Sequence, residues 1–219
     1  MDLNEILSPF LLSFKVVLAT TFLFITIGLI FAVLIAFCKF KAKFLLELLI
    51  TLPLIFPPMA TGFLLLYFLG ERTFFGRFLK ELDFSVVFSI NGLILAGFIS
   101  GLPLFVKPIA SAFLDFDIKL IQAAKSLGAS NVKIFFKIII PICKKTIITA
   151  LILSTARVIG EVGISLMLGG NLIGKTDTIS LAIYNAVLDG KTELALILSC
   201  VLIVLSILFY ALIYTLERK

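Results

Sequence analysis

The chain has 219 residues, of which 61% are hydrophobic and only 15% are charged. Because soluble domains carry about 25% charged residues, this composition excludes an ordinary globular protein and predicts a protein embedded in a membrane. The net charge is +6, which in such a protein reflects topology and indicates no nucleic-acid partner. With no His and three scattered Cys, we expect no metal ion or cofactor on this chain and no catalytic residues.

Long uncharged windows predict the membrane spans. Each of four windows is 23 residues long and, as a helix, reaches about 34 Å, enough to cross a hydrocarbon core of about 30 Å. A fifth stretch, 146–174, has the length to span but contains Arg157 and Glu161. We therefore predict an all-α integral membrane protein with one transmembrane domain (1–219), about five transmembrane helices and room for a partial sixth. The predicted spans are 14–38, 48–70, 84–106, 143–169 and 194–216.

The basic residues predict the orientation of these spans. Twelve Lys and Arg residues follow the first span, follow the third span or end the chain, whereas six lie in the other connecting segments. Cytoplasmic segments carry the basic excess, so the N-terminus is expected outside and the C-terminus in the cytoplasm. Within the second span, Pro53, Pro57 and Pro58 predict a broken helix.

A polar segment at about 115–141 lies on the predicted cytoplasmic side. Good helix formers at 122–127 precede Gly128, which suits a left-handed helix end, and Ser130 or Asn131 can cap a second helix at about 132–140. We expect Pro141 to end or kink that second helix. The small residues Ala123, Ala124 and Gly128 could fit a groove on another protein, although an amphipathic surface loop explains the pattern equally well.

Arg157 and Glu161 are the only charges in the stretch 146–174. A charge costs about 2.5–3.5 kcal/mol at the centre of a membrane helix, so we expect the two side chains to face protein or water. Their i,i+4 spacing allows an ion pair on one helix face. This pair either fixes helix packing or lines and gates a transport path, while Gly160 and Gly163 are expected to permit close approach of a neighbouring helix.

Residues 169–176, GGNLIGKT, match the pattern of a phosphate-binding loop. Such a loop joins a parallel β-strand to a helix, and here it follows a membrane segment with no room for a sheet. We conclude that the match is accidental. Hydrogen-bonding side chains follow in residues 170–180, and they form either a solvated turn or a set of donors for an oxyanion: Asn171, Thr176, Thr178 and Ser180.

The polar segment resembles the cytoplasmic signature of permease subunits in binding-protein-dependent ABC importers. That signature is Glu-Ala-Ala, three residues, Gly, nine residues, then Ile-x-Leu-Pro. This chain has Gln-Ala-Ala at 122–124, then Gly128, then Ile-Ile-Ile-Pro at 138–141, so Gln122 replaces the Glu. The resemblance implies a coupling helix that docks into a cleft of an ATPase subunit. The implied coupling residues are Gln122, Ala123, Ala124, Leu127, Gly128 and Pro141.

Two further stretches resemble the molybdate-type permeases of this family, namely LPLIFPP at 52–58 and ARVIGEVGISLMLGGNLIGKTDTISLAIYNAVLDG at 156–190. The resemblance implies a type I ABC importer permease fold in the inner membrane of a prokaryote. It also implies molybdate import, or tungstate or sulfate import, without enzyme activity in this chain. Its implied partners are a cytoplasmic ATPase dimer that uses ATP and Mg²⁺, an extracytoplasmic oxyanion-binding protein and a second copy of itself. A secondary carrier that works without ATP is the alternative.

Overall fold

The computed structural model describes residues 3–217, and every regular element in that range is a helix, which confirms the all-helical prediction. Three helices are long and apolar enough to cross a membrane, namely Glu5–Phe37, Ile90–Leu114 and Thr192–Leu216. In chain order the helices are α1 (Leu3–Leu23), α2 (Leu29–Phe37), α3 (Lys43–Ile55), α4 (Pro58–Leu69), α5 (Phe74–Glu81), α6 (Ile90–Leu114), α7 (Ile118–Ser126), α8 (Asn131–Ile134), α9 (Ile140–Ile159), α10 (Gly163–Gly169), α11 (Ile179–Leu188) and α12 (Thr192–Glu217).

Helix α6 forms the centre of the molecule. It packs against α1, α2, α3, α9 and α10, and its Leu93, Phe105 and Ile109 side chains are fully buried. A π-helical turn, Phe24–Gly28, joins α1 to α2 in one continuous helix, and Phe24 stacks on Phe98 and Phe105 with ring centroids 5.4 and 5.5 Å apart. Helix α12 by contrast has few buried residues, although it packs against α9 and α11.

The second crossing is broken, as its prolines predict. Helix α3 ends at Ile55 and α4 begins at Pro58, with Phe56 and Pro57 extended between them. Pro53 lies inside α3, whereas Pro58 occupies the first turn of α4, where a missing N–H leaves no hydrogen bond unmade. The third crossing differs in position from the predicted 84–106, because Ser89 caps α6 through the N–H of Gly92 and the helix continues to Leu114.

The fourth crossing is also broken, but not at Pro141. Helices α8 and α9 are continuous through a π-helical turn, Phe135–Ile139, in which the N–H of Ile140 bonds to the carbonyl of Phe135. Pro141 directly follows this turn, in the first turn of α9. The helix therefore does not end at Pro141, and the π-helical turn directly before it is the kind of distortion at which helices kink. The break comes instead at residues 160–162, before α10.

Contacts at the two ends of the helix bundle show which connecting segments lie at the same end. At one end, which we call the α7 end, Phe113 stacks on Phe37 and contacts Phe135 edge-on, at centroid distances of 5.7 and 5.9 Å. At the other, the α5 end, Lys191 donates to Glu5 across 2.9 Å, a hydrogen bond that raises the pKa of Lys191. The Lys-rich segment after α2 and the predicted coupling segment thus lie at the same end of the bundle. The predicted orientation requires this, because it places both basic segments on one side of the membrane. That this end faces the cytoplasm remains a prediction.

Candidate functional site

The breaks in the second and fourth crossings lie against each other. A Cβ atom on Gly163, at the start of α10, would come within 2.8 Å of the Pro58 side chain and 3.1 Å of the Met59 backbone nitrogen. A Cβ atom on Gly62 of α4 would likewise come within 2.8 Å of the Cβ atom of Met167. At Gly160 a Cβ would meet only carbonyls of its own helix, at 3.9 Å or more. Close approach therefore depends on Gly163 and not on Gly160.

The predicted pair of Arg157 and Glu161 forms at this junction. Arg157 Nη2 lies 2.7 Å from Glu161 Oε2, and the Glu161 side chain is almost fully buried while about a third of Arg157 is exposed. Glu161 follows the end of α9 rather than lying on its face, and its Oε1 accepts the N–H of Ile164 across 2.8 Å. Glu161 thus holds the first turn of α10, whereas the Arg157 guanidinium keeps an accessible edge beside the break.

The loop between α10 and α11 uses most of its donors internally. Thr176 Oγ1 donates to the carbonyl of Gly169 at 2.7 Å and accepts the N–H of Leu172 at 2.8 Å. Ser180 Oγ donates to the carbonyl of Ile159 at 2.6 Å, which ties α11 to the end of α9. Residues 176–180 are all buried, so a solvated turn does not describe this part of the loop.

Asn171 and Thr178 complete the set of predicted donors. The side-chain amide of Asn171 exchanges two hydrogen bonds with that of Asn185 on α11. Thr178 is buried, and its Oγ1 atom has no hydrogen-bond partner among the described residues. Of the four predicted donors, Thr178 therefore has an uncommitted hydroxyl, whereas the bonds made by the other three hold the loop in place.

Asp177 lies in the same loop and was not singled out by the sequence. Burial raises the pKa of its carboxyl group, and hydrogen bonds from the backbone N–H groups of Asp177 and Gly174 oppose that shift. The bond from the Gly174 N–H to Asp177 Oδ1 is 2.9 Å long. No sequence pattern predicts this residue, because its burial and its hydrogen bonds depend on how the loop folds back on itself.

The phosphate-loop pattern has no phosphate-loop structure around it. Residues 169–176 connect two helices, α10 and α11, instead of a strand and a helix. The Thr176 hydroxyl, which would bind a metal ion in such a loop, is buried and used in hydrogen bonds, while Lys175 is exposed. This geometry agrees with the interpretation of the match as accidental.

The coupling segment presents a short exposed helix. Asp117 caps the start of α7 by accepting the N–H of Lys119 at 2.9 Å, and Gly128 follows its end in the left-handed conformation, with φ +79°. Gln122 and Ala123 are exposed and Leu127 is 89% exposed, whereas Ala124 turns inward against the core. The predicted docking face therefore lacks Ala124. Pro141 is exposed but lies apart from α7, in the first turn of α9.

An apolar groove beside α7 was not predicted. Its volume is about 550 Å³, and it is formed by the end of α2, one side of α7 and the α8 segment. These segments are far apart in the sequence, so no local pattern could reveal the groove. Residues that line it include Val33, Phe37, Ile121, Lys125, Val132 and Phe136.

Comparison with known proteins agrees with this architecture. Residues 8–219 match the family described as binding-protein-dependent transport system inner membrane component. The chain belongs to this family. It is accordingly a multi-pass inner-membrane permease, and the resemblance to molybdate-type permeases is confirmed by its relatives.

Three relatives illustrate how similar this chain is to known permeases. The chain is 37% identical over 178 residues to the molybdenum transport system permease protein ModB of Escherichia coli, covering 81% of this chain and 78% of that protein. It is 34% identical over 204 residues to ModB of Haemophilus influenzae, covering 89% of each. It is 30% identical over 190 residues to the chloroplastic sulfate permease 2 of Chlamydomonas reinhardtii, covering 85% of this chain and 52% of that protein.

Proposed function

We propose that this chain is the permease subunit of an ABC importer that carries molybdate across the cytoplasmic membrane. Its higher identity to proteins named for molybdenum transport than to one named for sulfate supports molybdate over sulfate, and tungstate is the other alternative. Transport is driven by ATP hydrolysis in a separate subunit, and this chain is not itself an enzyme. An extracytoplasmic binding protein delivers the oxyanion to a pathway formed by two copies of the chain.

The observation that carries this proposal is the exposed helix α7. It ends in a left-handed glycine, its Gln122, Ala123 and Leu127 point away from the core, and it shares one end of the bundle with the Lys-rich segment after α2. A partner that fits over α7 and Gly128 can push on the end of α9 through α8, since α8 and α9 form one continuous helix. The partner is an ABC ATPase dimer that binds ATP and Mg²⁺.

The transport path passes the junction of the two broken crossings. The Arg157 guanidinium is paired with Glu161 but keeps a partly exposed edge there, and guanidinium groups hold oxyanions through paired N–H donors. Thr178 adds a buried hydroxyl that bonds to no residue described by the structure. In this account Glu161, Asn171, Thr176 and Ser180 shape the path by holding α10 and the loop, and the N-terminus lies outside with the C-terminus in the cytoplasm.

Elemental analysis of a gene-deletion strain tests the substrate. At nanomolar external oxyanion, the account predicts that deletion lowers cellular molybdenum, with tungsten and sulfur unchanged, and that the wild-type gene restores it. Unchanged molybdenum with impaired sulfate uptake would identify sulfate as the substrate, and a selective loss of tungsten would identify tungstate. Unchanged levels of all three elements would contradict an oxyanion permease.

A further inference from the structure

Helix α5 is a short amphipathic helix whose apolar face is bare. Phe74, Phe75 and Phe78 are 77%, 64% and 52% exposed, and Leu82 just beyond the helix is 62% exposed. At 3.6 residues per turn these four positions fall within about 100° of one another around the helix axis. Arg77 and Lys80 lie outside this arc, whereas Glu81 lies at its edge, about 20° from Phe74.

Local bonds fix α5 to the end of a membrane helix. Thr73 caps α5 by accepting the N–H of Gly76 at 3.0 Å, and its hydroxyl donates to the carbonyl of Phe68 in α4 at 2.6 Å. Gly76 packs directly on the Gly70 carbonyl, so that any side chain there would collide with the backbone. Helix α5 is therefore held against the end of α4, which lies in the second predicted span.

The exposed phenylalanines continue the apolar surface of α4, which lies in the second predicted span. On α4, Phe63, Tyr67 and Phe68 are 56%, 64% and 57% exposed, and α5 follows directly from that surface. The apolar face of α5 offers no hydrogen-bonding side chain, whereas protein interfaces carry about one hydrogen bond per 100–200 Å². The charged residues on and around α5 balance, with Lys80 paired to Glu71 at 2.8 Å, so an acidic or basic protein surface finds no complementary charge here.

We propose that α5 lies in the plane of the bilayer interface, with Phe74, Phe75, Phe78 and Leu82 inserted into the leaflet at the α5 end. Helices of this kind bury their apolar face about 5–10 Å into the boundary between headgroups and acyl chains. The inserted helix anchors the end of α4, one of the two helices that meet at the junction of the broken crossings. The occupant of this face is lipid and not the binding protein.

A single tryptophan tests this placement, because the chain has no Trp of its own. We would place Phe78→Trp in the full-length protein, in lipid nanodiscs, and measure its quenching by brominated phosphatidylcholine and by aqueous iodide. Arg77→Trp, about 100° around the helix from Phe78 and outside the apolar arc, is the matched control. Phe75→Trp repeats the measurement if the first variant folds poorly.

The proposal predicts blue-shifted emission for Phe78→Trp, at least twofold stronger quenching by brominated lipid than for Arg77→Trp, and protection from iodide. Equal quenching of both variants by iodide, with no response to brominated lipid, would overturn it. So would protection of Phe78→Trp that develops only when an extracytoplasmic binding protein is added, because that result assigns the face to a protein partner. The readout involves no transport, so it stands or falls separately from the proposed function.

Discussion

At the scale of single residues, Glu161 makes the break in the fourth crossing tolerable. A broken helix leaves N–H groups without partners, and each buried one costs about 1–3 kcal/mol. Glu161 Oε1 accepts one of these, from Ile164, while Oε2 neutralises Arg157. One carboxylate therefore satisfies both the backbone of α10 and the charge at the end of α9.

Two substitutions separate these roles. Glu161→Ala removes both the acceptor and the counter-charge, and we expect it to lower the free energy of unfolding by about 3–5 kcal/mol, the range for breaking a buried ion pair. Glu161→Gln keeps an oxygen for the Ile164 N–H and should lose less. Denaturant unfolding in detergent would rank the wild-type protein first, Gln second and Ala last. Three coincident unfolding curves would show that the carboxylate does not hold this break.

Asp177 gives the loop a dependence on pH. Because burial raises its pKa, the folded state binds more protons than the unfolded state between 3.8, the ordinary pKa, and the higher folded value. The free energy of unfolding therefore falls as pH rises through that window, and the penalty persists above it. Asp177→Asn removes the charge and keeps an oxygen for the Gly174 N–H.

We expect Asp177→Asn to be at least as stable as the wild-type protein near neutral pH and to lack this pH-dependent component. Thermal unfolding in detergent from about pH 4 to about pH 7 brackets the ordinary carboxyl range and checks this. A variant less stable than the wild-type protein at pH 7 would mean that the ionised carboxylate stabilises the loop.

At the scale of elements, the contact between α4 and α10 depends on glycine. A methyl group on Gly163 would meet the Pro58 side chain and the Met59 backbone, neither of which can move without shifting α4. We expect Gly163→Ala to cost about 1–3 kcal/mol of unfolding free energy, the usual range for overpacking. Gly160→Ala is the matched control, since its Cβ has open space. The same unfolding measurement, with equal losses for both variants, would contradict a specific contact at Gly163.

The coupling helix can be tested with a second pair of glycines. Gly128 and Gly190 have φ +79° and +71°, and nothing lies within 4 Å of a Cβ at either position. Trp at either site should therefore cost a similar backbone strain of about 1–2 kcal/mol. Gly128 lies at the α7 end and Gly190 at the α5 end, so only Gly128→Trp should block a partner docked on α7.

We expect Gly128→Trp to abolish copurification of the ATPase subunit and molybdate uptake, while Gly190→Trp retains both. Pull-down of the ATPase from membranes, together with uptake of molybdate by the same strains, measures this difference. Retention of the ATPase by Gly128→Trp would show that α7 is not part of the docking surface.

The sequence predicted features whose causes are local. Gly128 as a left-handed helix end, Ser130 as a cap and the break near Pro57 all follow from the conformational limits of one residue and its neighbours. The continuation of the helix through Pro141 could not be predicted, because it comes with a π-helical turn directly before the proline.

Features that depend on tertiary contacts were also beyond the sequence. Burial of Ala124, commitment of the Thr176 hydroxyl to Gly169 and the groove beside α7 arise where segments distant in sequence meet. The pairing of Arg157 with Glu161 was predictable from spacing, but the bond from Ile164 to Glu161 was not, because it requires the helix to end before Glu161.

At the scale of the whole molecule, one continuous helix joins the exposed helix α7 to the junction of the broken crossings. The exposed helix α7 lies at one end, the junction of the two broken crossings lies between the ends, and α8 and α9 connect them as one continuous helix. This arrangement fits a subunit moved by a partner.

The most direct test of this central claim is molybdate uptake into proteoliposomes of defined composition. The account predicts uptake only when the chain is reconstituted with its ATPase subunit and supplied with the binding protein and ATP, and no uptake by the chain alone. Molybdate uptake by the chain alone, unchanged by ATP or by the ATPase, would contradict the account and identify a secondary carrier.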